Sequence, residues 1–145
     1  MALLSLFILT SCTKTPLQNE YLPKGTNLTN ADWHHLDKMY SDMALAVVLK
    51  NWQVPQGSTS PLRGYNIGCV LVDNQGNLIR WARNSNKITQ NGTMHGEVRC
   101  IQGYINNKKC YVLPEGTTLY ASLEPCAQCA GMMTLSKLDR TVYCQ

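Results

Sequence analysis

The sequence has no run of five or more basic residues, although its net charge is +4. The lysines and arginines are scattered, so the charge permits nucleic-acid binding without indicating it. The apolar stretch from Met1 to Thr10 is too short to span a bilayer as a stable helix. The chain also lacks the second C-x-x-C motif that a four-cysteine zinc ribbon needs. Neither a basic nucleic-acid clamp nor such a ribbon is therefore indicated.

Length and composition predict one folded domain. The chain has 145 residues, of which 44% are hydrophobic, so one modest core is expected and gross disorder is not. Seven cysteines are present. When the C-x-x-C pair is set aside an odd number remains, which does not indicate a disulfide framework.

Two short motifs carry most of the chemical information, an H-x-E formed by His95 and Glu97 and a P-C-x-x-C that contains Cys126 and Cys129. Together they offer one imidazole, two thiols and one carboxylate. Catalytic zinc sites use three protein ligands and keep a fourth position for water, and this pair of motifs matches the pattern of zinc-dependent base deaminases. Taken alone, C-x-x-C also fits a redox pair or half of a structural zinc site. A redox pair would leave His95 and Glu97 unexplained.

The spacing within each motif predicts its geometry. Cys126 and Cys129 are three residues apart, so at a helix start their sulfurs fall on one face and can bind one metal. Pro125 suits the first helical turn, where its missing N–H would have had no partner. The positive end of the helix dipole is expected to lower the pKa of the thiols. His95 and Glu97 are two apart, so one can hold the metal while the other faces a substrate.

Hydrophobic patterning predicts the element order α-β-β-α-β-α-β. The first two strands form a hairpin, and later strands follow helices, so strand–helix–strand crossovers place helices on the faces of one sheet. Both motifs then lie at helix starts, where loops converge at one sheet edge and ligands commonly bind. The predicted strands are 67–72, 77–83, 117–123 and 140–144, and the last two helices run from 95 to about 106 and from 126 to about 138.

The first helix is predicted to run from a cap at Asn30 or Asp32 to about Trp52. Apolar side chains recur along it at a spacing of three to four residues. They predict a buried face of Leu36, Tyr40, Met43 and Val47, widened by Trp33, Met39 and Leu49.

The folded domain is predicted to span 31–145. The residues before it divide into two parts. Residues 1–12 resemble a bacterial lipoprotein signal, in which the cysteine that follows a short apolar run, here Cys12, is lipidated and becomes the mature N-terminus. In a signal peptide a Lys or Arg normally precedes the apolar run, whereas here none does. A segment packed on the domain is the alternative. Residues 13–30 are polar, contain Pro and Gly and show no periodicity, which predicts a linker.

From Trp33 onward the chain resembles the cytidine deaminase-like superfamily with its CMP/dCMP-type zinc-binding domain, and within it the tRNA adenosine deaminase and guanine deaminase branch. The stretch from Leu119 to Met133 is similar to the tRNA adenosine deaminase signature almost position for position. Ile67 to Asp73 resembles the family's first hairpin strand, and Arg140 to Tyr143 resembles the strand after the signature. The resemblance covers about three quarters of the chain.

This resemblance implies an α/β fold, a three-layer α-β-α sheet with helices on both faces. The family continues after its fourth strand with a further strand and a helix, so the present sheet is expected to be short at its C-terminus. The resemblance also implies one Zn²⁺ per chain, with Glu97 as the proton carrier. Asn84 falls where the family places a substrate-binding asparagine, and the backbone N–H of Gly96 falls where a residue that is usually alanine meets the ring. The implied zinc ligands are His95, Cys126 and Cys129.

The predicted function is hydrolytic deamination of a nucleobase amine, by a hydrolase acting on the C–N bond of a cyclic amidine. The substrate would be adenosine in tRNA, or a free purine or cytosine nucleoside or base. Two alternatives are a lipid-anchored zinc-fold binding module without activity and a secreted deaminase toxin or effector. Glu97 argues against the first, because binding alone does not need that carboxylate. Family members often dimerise, so a homodimer is also expected. A lipid on Cys12 would place the protein at a membrane, in the periplasm or on the cell surface, and without it the protein would be cytoplasmic.

Overall fold

The computed structural model describes residues 22–49 and 64–144. These residues form three helices and four strands in the predicted order. The described portion contains no helix that is both long and apolar enough to cross a membrane. The elements are α1 (Asn30–Leu49), β1 (Gly68–Val72), β2 (Leu78–Arg83), α2 (Gly96–Lys108), β3 (Thr118–Ala121), α3 (Ala127–Leu135) and β4 (Arg140–Tyr143).

The strands form one mixed sheet in the order β2-β1-β3-β4. β1 pairs antiparallel with both β2 and β3, and β3 pairs parallel with β4. The predicted hairpin is confirmed: β1 and β2 are joined by a turn in which the Asp73 N–H donates to the Asn77 carbonyl (2.9 Å) and Gly76 has a φ of +79°. β2 and β3 end where β1 begins, and this end of the sheet, called the site end below, carries both motifs. The opposite end, with the turn and the starts of β3 and β4, is called the hairpin end.

Alternating side chains of the strands enter two separate cores, one on each face of the sheet. Cys69 and Leu71 of β1 pack with α2 and α3, whereas Val70 and Val72 pack with α1. Tyr120 of β3 joins the α1 side. All five β1 side chains are buried, as expected for a strand that is covered on both faces. The three-layer α-β-α architecture is therefore confirmed.

The start and the buried face of α1 differ from the prediction. Thr29 caps the helix, because its hydroxyl accepts the Asp32 N–H (3.3 Å) while the Asp32 carboxylate accepts both the N–H (2.9 Å) and the hydroxyl (2.7 Å) of Thr29. This reciprocal pair satisfies two groups at the helix end. Leu36, Tyr40 and Val47 pack in the α1-side core as predicted, and Trp33 is buried. Met43 is 38% exposed, and Met39 and Leu49 are exposed as well, so the predicted face is correct only in part. The buried residues of the helix are Trp33, Tyr40, Ala44 and Val48.

A buried ion pair ties α1 to the sheet. Asp37 accepts hydrogen bonds from both terminal nitrogens of Arg140, one of them at 2.7 Å, and from the hydroxyl of Tyr120 at 2.6 Å. The Arg140 guanidinium also lies over the Trp33 ring, 5.8 Å from its centroid. Side-chain exposure is 7% for Arg140 and 18% for Asp37, so this pair is largely shielded from water.

The last part of the predicted linker packs on the fold. The Lys24 N–H donates to the Asp139 carboxylate (3.0 Å), and the Asn74 amide donates to the Lys24 carbonyl (3.3 Å). The Trp33 indole N–H donates to Thr26 (2.8 Å). A side chain on Gly116 would come within 2.1 Å of the Lys24 carbonyl oxygen, so the segment lies directly on that glycine. Leu22–Thr29 is therefore held at the hairpin end. The predicted signal, 1–12, and linker residues 13–21 lie outside the described residues.

Candidate metal centre

The two motifs meet at the site end of the sheet because each sits at the start of a helix. His95 is the N-cap of α2, and Cys126 is the N-cap of α3. The loop after β3 is tied to the start of β1, since the Gly68 N–H donates to the Ser122 hydroxyl (3.0 Å). The prediction placed Pro125 in the first helical turn. It lies one residue ahead of the cap instead, because Cys126 has extended backbone angles.

The three predicted ligand atoms form a compact triangle. His95 Nδ1 lies 3.5 Å from the sulfur of Cys126 and 3.5 Å from that of Cys129, and the two sulfurs are 3.6 Å apart. Tetrahedral zinc, with bonds of about 2.3 Å to sulfur and about 2.0–2.1 Å to nitrogen, needs sulfur–sulfur and sulfur–nitrogen separations of about 3.8 and 3.6 Å. The side chains therefore fit zinc in both chemistry and spacing, and Nδ1 is the imidazole nitrogen that faces it.

The acidity of the Cys129 thiol runs against the prediction from the helix dipole. Burial, followed by the charge of Glu97, raises the pKa of Cys129 above its usual value of 9.0. The dipole is outweighed because the sulfur has little access to water and a carboxylate lies nearby. A cation bound by the three ligand atoms would oppose this shift and favour the thiolate.

Glu97 is buried at the centre, with 1% of its surface exposed. Its Oε2 atom is buried and has no hydrogen-bond partner among the described residues. The carboxylate is close enough to Cys69 and Cys129 to raise the pKa of both thiols, although burial is the larger cause in each case. A buried carboxylate oxygen without a hydrogen-bond partner costs about 1–3 kcal/mol of stability, and more when the group is charged.

Asn84 follows β2 directly and is fully buried. Its backbone N–H donates to the Ile67 carbonyl (2.9 Å), and its Oδ1 accepts the Asn86 N–H (3.1 Å). Its Nδ2 group is buried and has no partner among the described residues. The next residue closes the loop, since the Ser85 N–H donates to the Met94 carbonyl (3.0 Å). Asn84 is thus fixed through its oxygen while its two amide hydrogens remain available.

Gly96 is buried between His95 and Glu97 and packs on the start of β1. A Cβ atom built on it would lie 3.1 Å from the Cys69 sulfur and 3.5 Å from the Asn84 backbone nitrogen. The H-x-E motif therefore sits against the residue that was singled out for substrate contact.

One contact at the centre was not predicted. The Gln128 side-chain amide donates to the Thr93 carbonyl at 3.0 Å. It joins the loop that leads into His95 to the turn that holds the two cysteines. The only signal in the sequence was an amide within the C-x-x-C motif, and the partner is 35 residues away along the chain.

Comparison with known families agrees with this geometry. Residues 40–145 match the family described as cytidine and deoxycytidylate deaminase zinc-binding region. The tRNA-specific adenosine deaminase of Bacillus subtilis (strain 168) is 39% identical over 77 residues, which are 53% of this chain and 47% of that protein. The tRNA-specific adenosine deaminase 2 of Danio rerio is 31% identical over 107 residues, 70% of this chain and 44% of that protein. The chain thus spans about half the length of the curated relatives it matches.

Solved structures share the fold. A structure from work on A-to-I editing by tRNA:A34 deaminases superposes with a TM-score of 0.61 at 26% identity, covering 74% of this chain and 76% of that one. The guanine deaminase of Bacillus subtilis superposes with a TM-score of 0.62 at 23% identity, covering 73% of this chain and 62% of that one. The second likeness concerns the fold alone.

Proposed function

The chain belongs to the cytidine and deoxycytidylate deaminase zinc-binding family, and from this premise we propose that it is a hydrolytic deaminase of a nucleobase amine. In this reaction water replaces an amino group on the ring: a C–O bond forms, the C–N bond breaks and ammonia leaves. The proposed ligands of one zinc ion per chain are His95, Cys126 and Cys129.

The observation that carries the proposal is the buried carboxylate of Glu97. Glu97 follows Gly96 in the chain and lies near the sulfur of Cys129. Its Oε2 has no hydrogen-bond partner among the described residues. A binding module would gain nothing from this arrangement, which costs stability. A deaminase needs a group that moves protons at this position.

Each residue has a task that follows from its contacts. Zinc held by the triangle would supply a water activated for attack near neutral pH. Glu97 would carry the two protons of the attacking water, the first to a ring nitrogen and the second to the departing amine. The Nδ2 group of Asn84 donates to an acceptor on the base, and the N–H of Gly96 donates to a second. Burial of Asn84 and Glu97 excludes bulk water from the reacting ring, which strengthens these interactions.

The names of the similar sequences support the choice of substrate class, since several are tRNA-specific adenosine deaminases. We propose adenosine in tRNA as the first substrate to test, with free purines and cytosine compounds next. The deciding experiment incubates zinc-loaded protein with an adenosine-containing tRNA anticodon stem–loop, guanine, adenosine, cytidine and deoxycytidylate. Ammonia release and the ultraviolet shift of the base are followed.

Turnover of at least one substrate is expected, and Glu97→Gln should lower it by roughly 10²–10⁴-fold because the proton carrier is lost. Glu115→Gln is the matched control, since Glu115 is an exposed loop residue away from both motifs. No turnover of any substrate by zinc-loaded protein, or equal activity in the Glu97 and Glu115 variants, would refute the proposal.

We also propose that Cys12 is lipidated, on the grounds of the short apolar run that ends there. The lipid would hold the protein at a membrane, facing the periplasm or the cell surface. Cell fractionation and the mass of the mature N-terminus test this. A cytosolic protein that keeps Met1 would contradict it.

A homodimer is a further proposal taken from the family. On α3, Met133 is buried and Met132 is half-buried against the α2–α3 core, so most of their surface is already used within the chain. Light scattering of the zinc-loaded protein measures the state, and a monomer at micromolar concentration would contradict the proposal.

A further inference from the structure

The start of α2 fits into a narrow space against β1. A methyl group added to Gly96 would lie 3.1 Å from the sulfur of Cys69 and 3.3 Å from the carbonyl oxygen of Ile67. Carbon atoms in favourable contact are about 3.5–4.0 Å apart, and sulfur is larger than carbon. The Cys69 sulfur is therefore the tightest obstacle to a side chain at this position.

Cys69 lies in the interior of the sheet, enclosed by other residues. It is fully buried in the central strand, and its register partners are Ala82 on β2 and Ala121 on β3. Because both neighbours are small, the sulfur supplies most of the bulk in this row of the sheet beneath α2. Its backbone carbonyl also accepts the Cys100 thiol at 3.5 Å, which ties the same residue to α2.

We propose that Cys69 is a positioning residue whose sulfur, together with the missing side chain of Gly96, sets how closely the first turn of α2 packs against β1. Gly96 is bonded directly to His95 and Glu97, so a shift of this turn moves a proposed zinc ligand and the proposed proton carrier together. Metal sites keep their distances to within about 0.2 Å. A displacement of a few tenths of an ångström therefore exceeds what the triangle with Cys126 and Cys129 tolerates. The relevance to catalysis rests on the proposed function, whereas the packing relation does not.

A double-mutant cycle tests this complementarity without using turnover. Zinc affinity is measured by competition with a chromophoric chelator, and the ligand geometry by the absorption spectrum of the cobalt-substituted protein. Gly96→Ala should weaken zinc binding by about 10–100-fold, the usual effect of disturbing the support of a metal ligand, and should alter the cobalt spectrum. The double variant Cys69→Ala/Gly96→Ala should bind zinc within about threefold of Cys69→Ala alone, because the methyl group then occupies the space left by the sulfur.

Gly131→Ala is the matched control, because Gly131 also lies in a helix beside the centre but a Cβ atom there meets nothing within 4 Å. It should leave zinc affinity and the cobalt spectrum unchanged. If Cys69→Ala does not fold, Cys69→Ser repeats the cycle with a smaller atom in place. Additive losses in the double variant, or zinc binding by Gly96→Ala equal to that of Gly131→Ala, would overturn the inference. Absence of deaminase activity would refute the proposed function and leave this result intact.

Discussion

Removing one partner of the buried Asp37–Arg140 pair should be among the most destabilising single changes in the domain. In Asp37→Ala, Arg140 loses its two hydrogen bonds to a carboxylate and the Tyr120 hydroxyl loses one. At about 1.5–3 kcal/mol for each hydrogen bond to a charged group, the sum is roughly 4.5–9 kcal/mol. Water can reach part of the vacated site, because the Asp37 side chain is 18% exposed. We therefore expect a loss of about 3–5 kcal/mol, the range for breaking one partner of a buried pair.

The assay is urea unfolding of zinc-loaded protein at pH 7 with the thiols kept reduced, reading the midpoint and slope of the transition. Asp42→Ala provides the control on the same helix. Asp42 also forms an ion pair, with Lys38 at 2.8 Å, but the two side chains are 62% and 77% exposed. Removing such a surface pair should cost less than about 1 kcal/mol.

A second variant separates loss of a charge partner from loss of packing. Asp37→Leu/Arg140→Met removes both charges and keeps apolar volume, so it should be more stable than Asp37→Ala. The reasoning fails if Asp37→Ala costs no more than Asp42→Ala, or if the double replacement is the least stable variant. Zinc affinity should not change in any of them, because the pair lies on the α1 face of the sheet and the metal centre lies on the other.

Three further predictions concern the face of the sheet that is covered by α2 and α3. Gln128→Glu keeps the size of the side chain but replaces a donor by an acceptor opposite the Thr93 carbonyl, so zinc affinity measured by chelator competition should fall about tenfold. An equal loss in Gln128→Asn, whose shorter side chain keeps the donor, would show that the length of the side chain matters and not its donor. Removal of zinc by a chelator should lower the melting temperature and make Cys126, which is exposed, react with a thiol reagent, and equal reactivity with and without zinc would argue against its role as a ligand. Burial raises the pKa of Cys100 from 9.0 to about 12, so its contribution to stability is complete below pH 9.0 and is lost as the pH rises to about 12. Above about pH 9 the free energy of unfolding should therefore fall more steeply in the wild type than in Cys100→Val, and parallel curves would contradict this.

The parts of this fold that depend on nearby residues could be predicted from the sequence. The hairpin turn at Asp73, the order of the helices and strands, and the helix start at His95 follow from local patterns of polarity and turn residues. The meeting of His95 with the cysteine pair was predicted only because two motifs with matching chemistry occur together.

The errors have a common physical cause, which is that the missing information comes from distant parts of the chain. The buried face of α1 is rotated toward Ala44, because the position of Val70 and Tyr120 decides which side of the helix is covered, and not the apolar pattern of the helix itself. The pKa of Cys129 rises because the fold buries its sulfur and, second, because the carboxylate of Glu97 from another helix lies nearby. The Gln128–Thr93 contact likewise joins residues that have no local reason to meet.

The docking of Leu22–Thr29 at the hairpin end offers a point of attachment that is remote from the metal centre. Lys24 is hydrogen-bonded beside the starts of β3 and β4, whereas His95 and Cys126 lie at the other end of the strands. A bead or sensor chip coupled to the exposed Lys24 side chain would therefore lie at the far end of the strands from the metal centre.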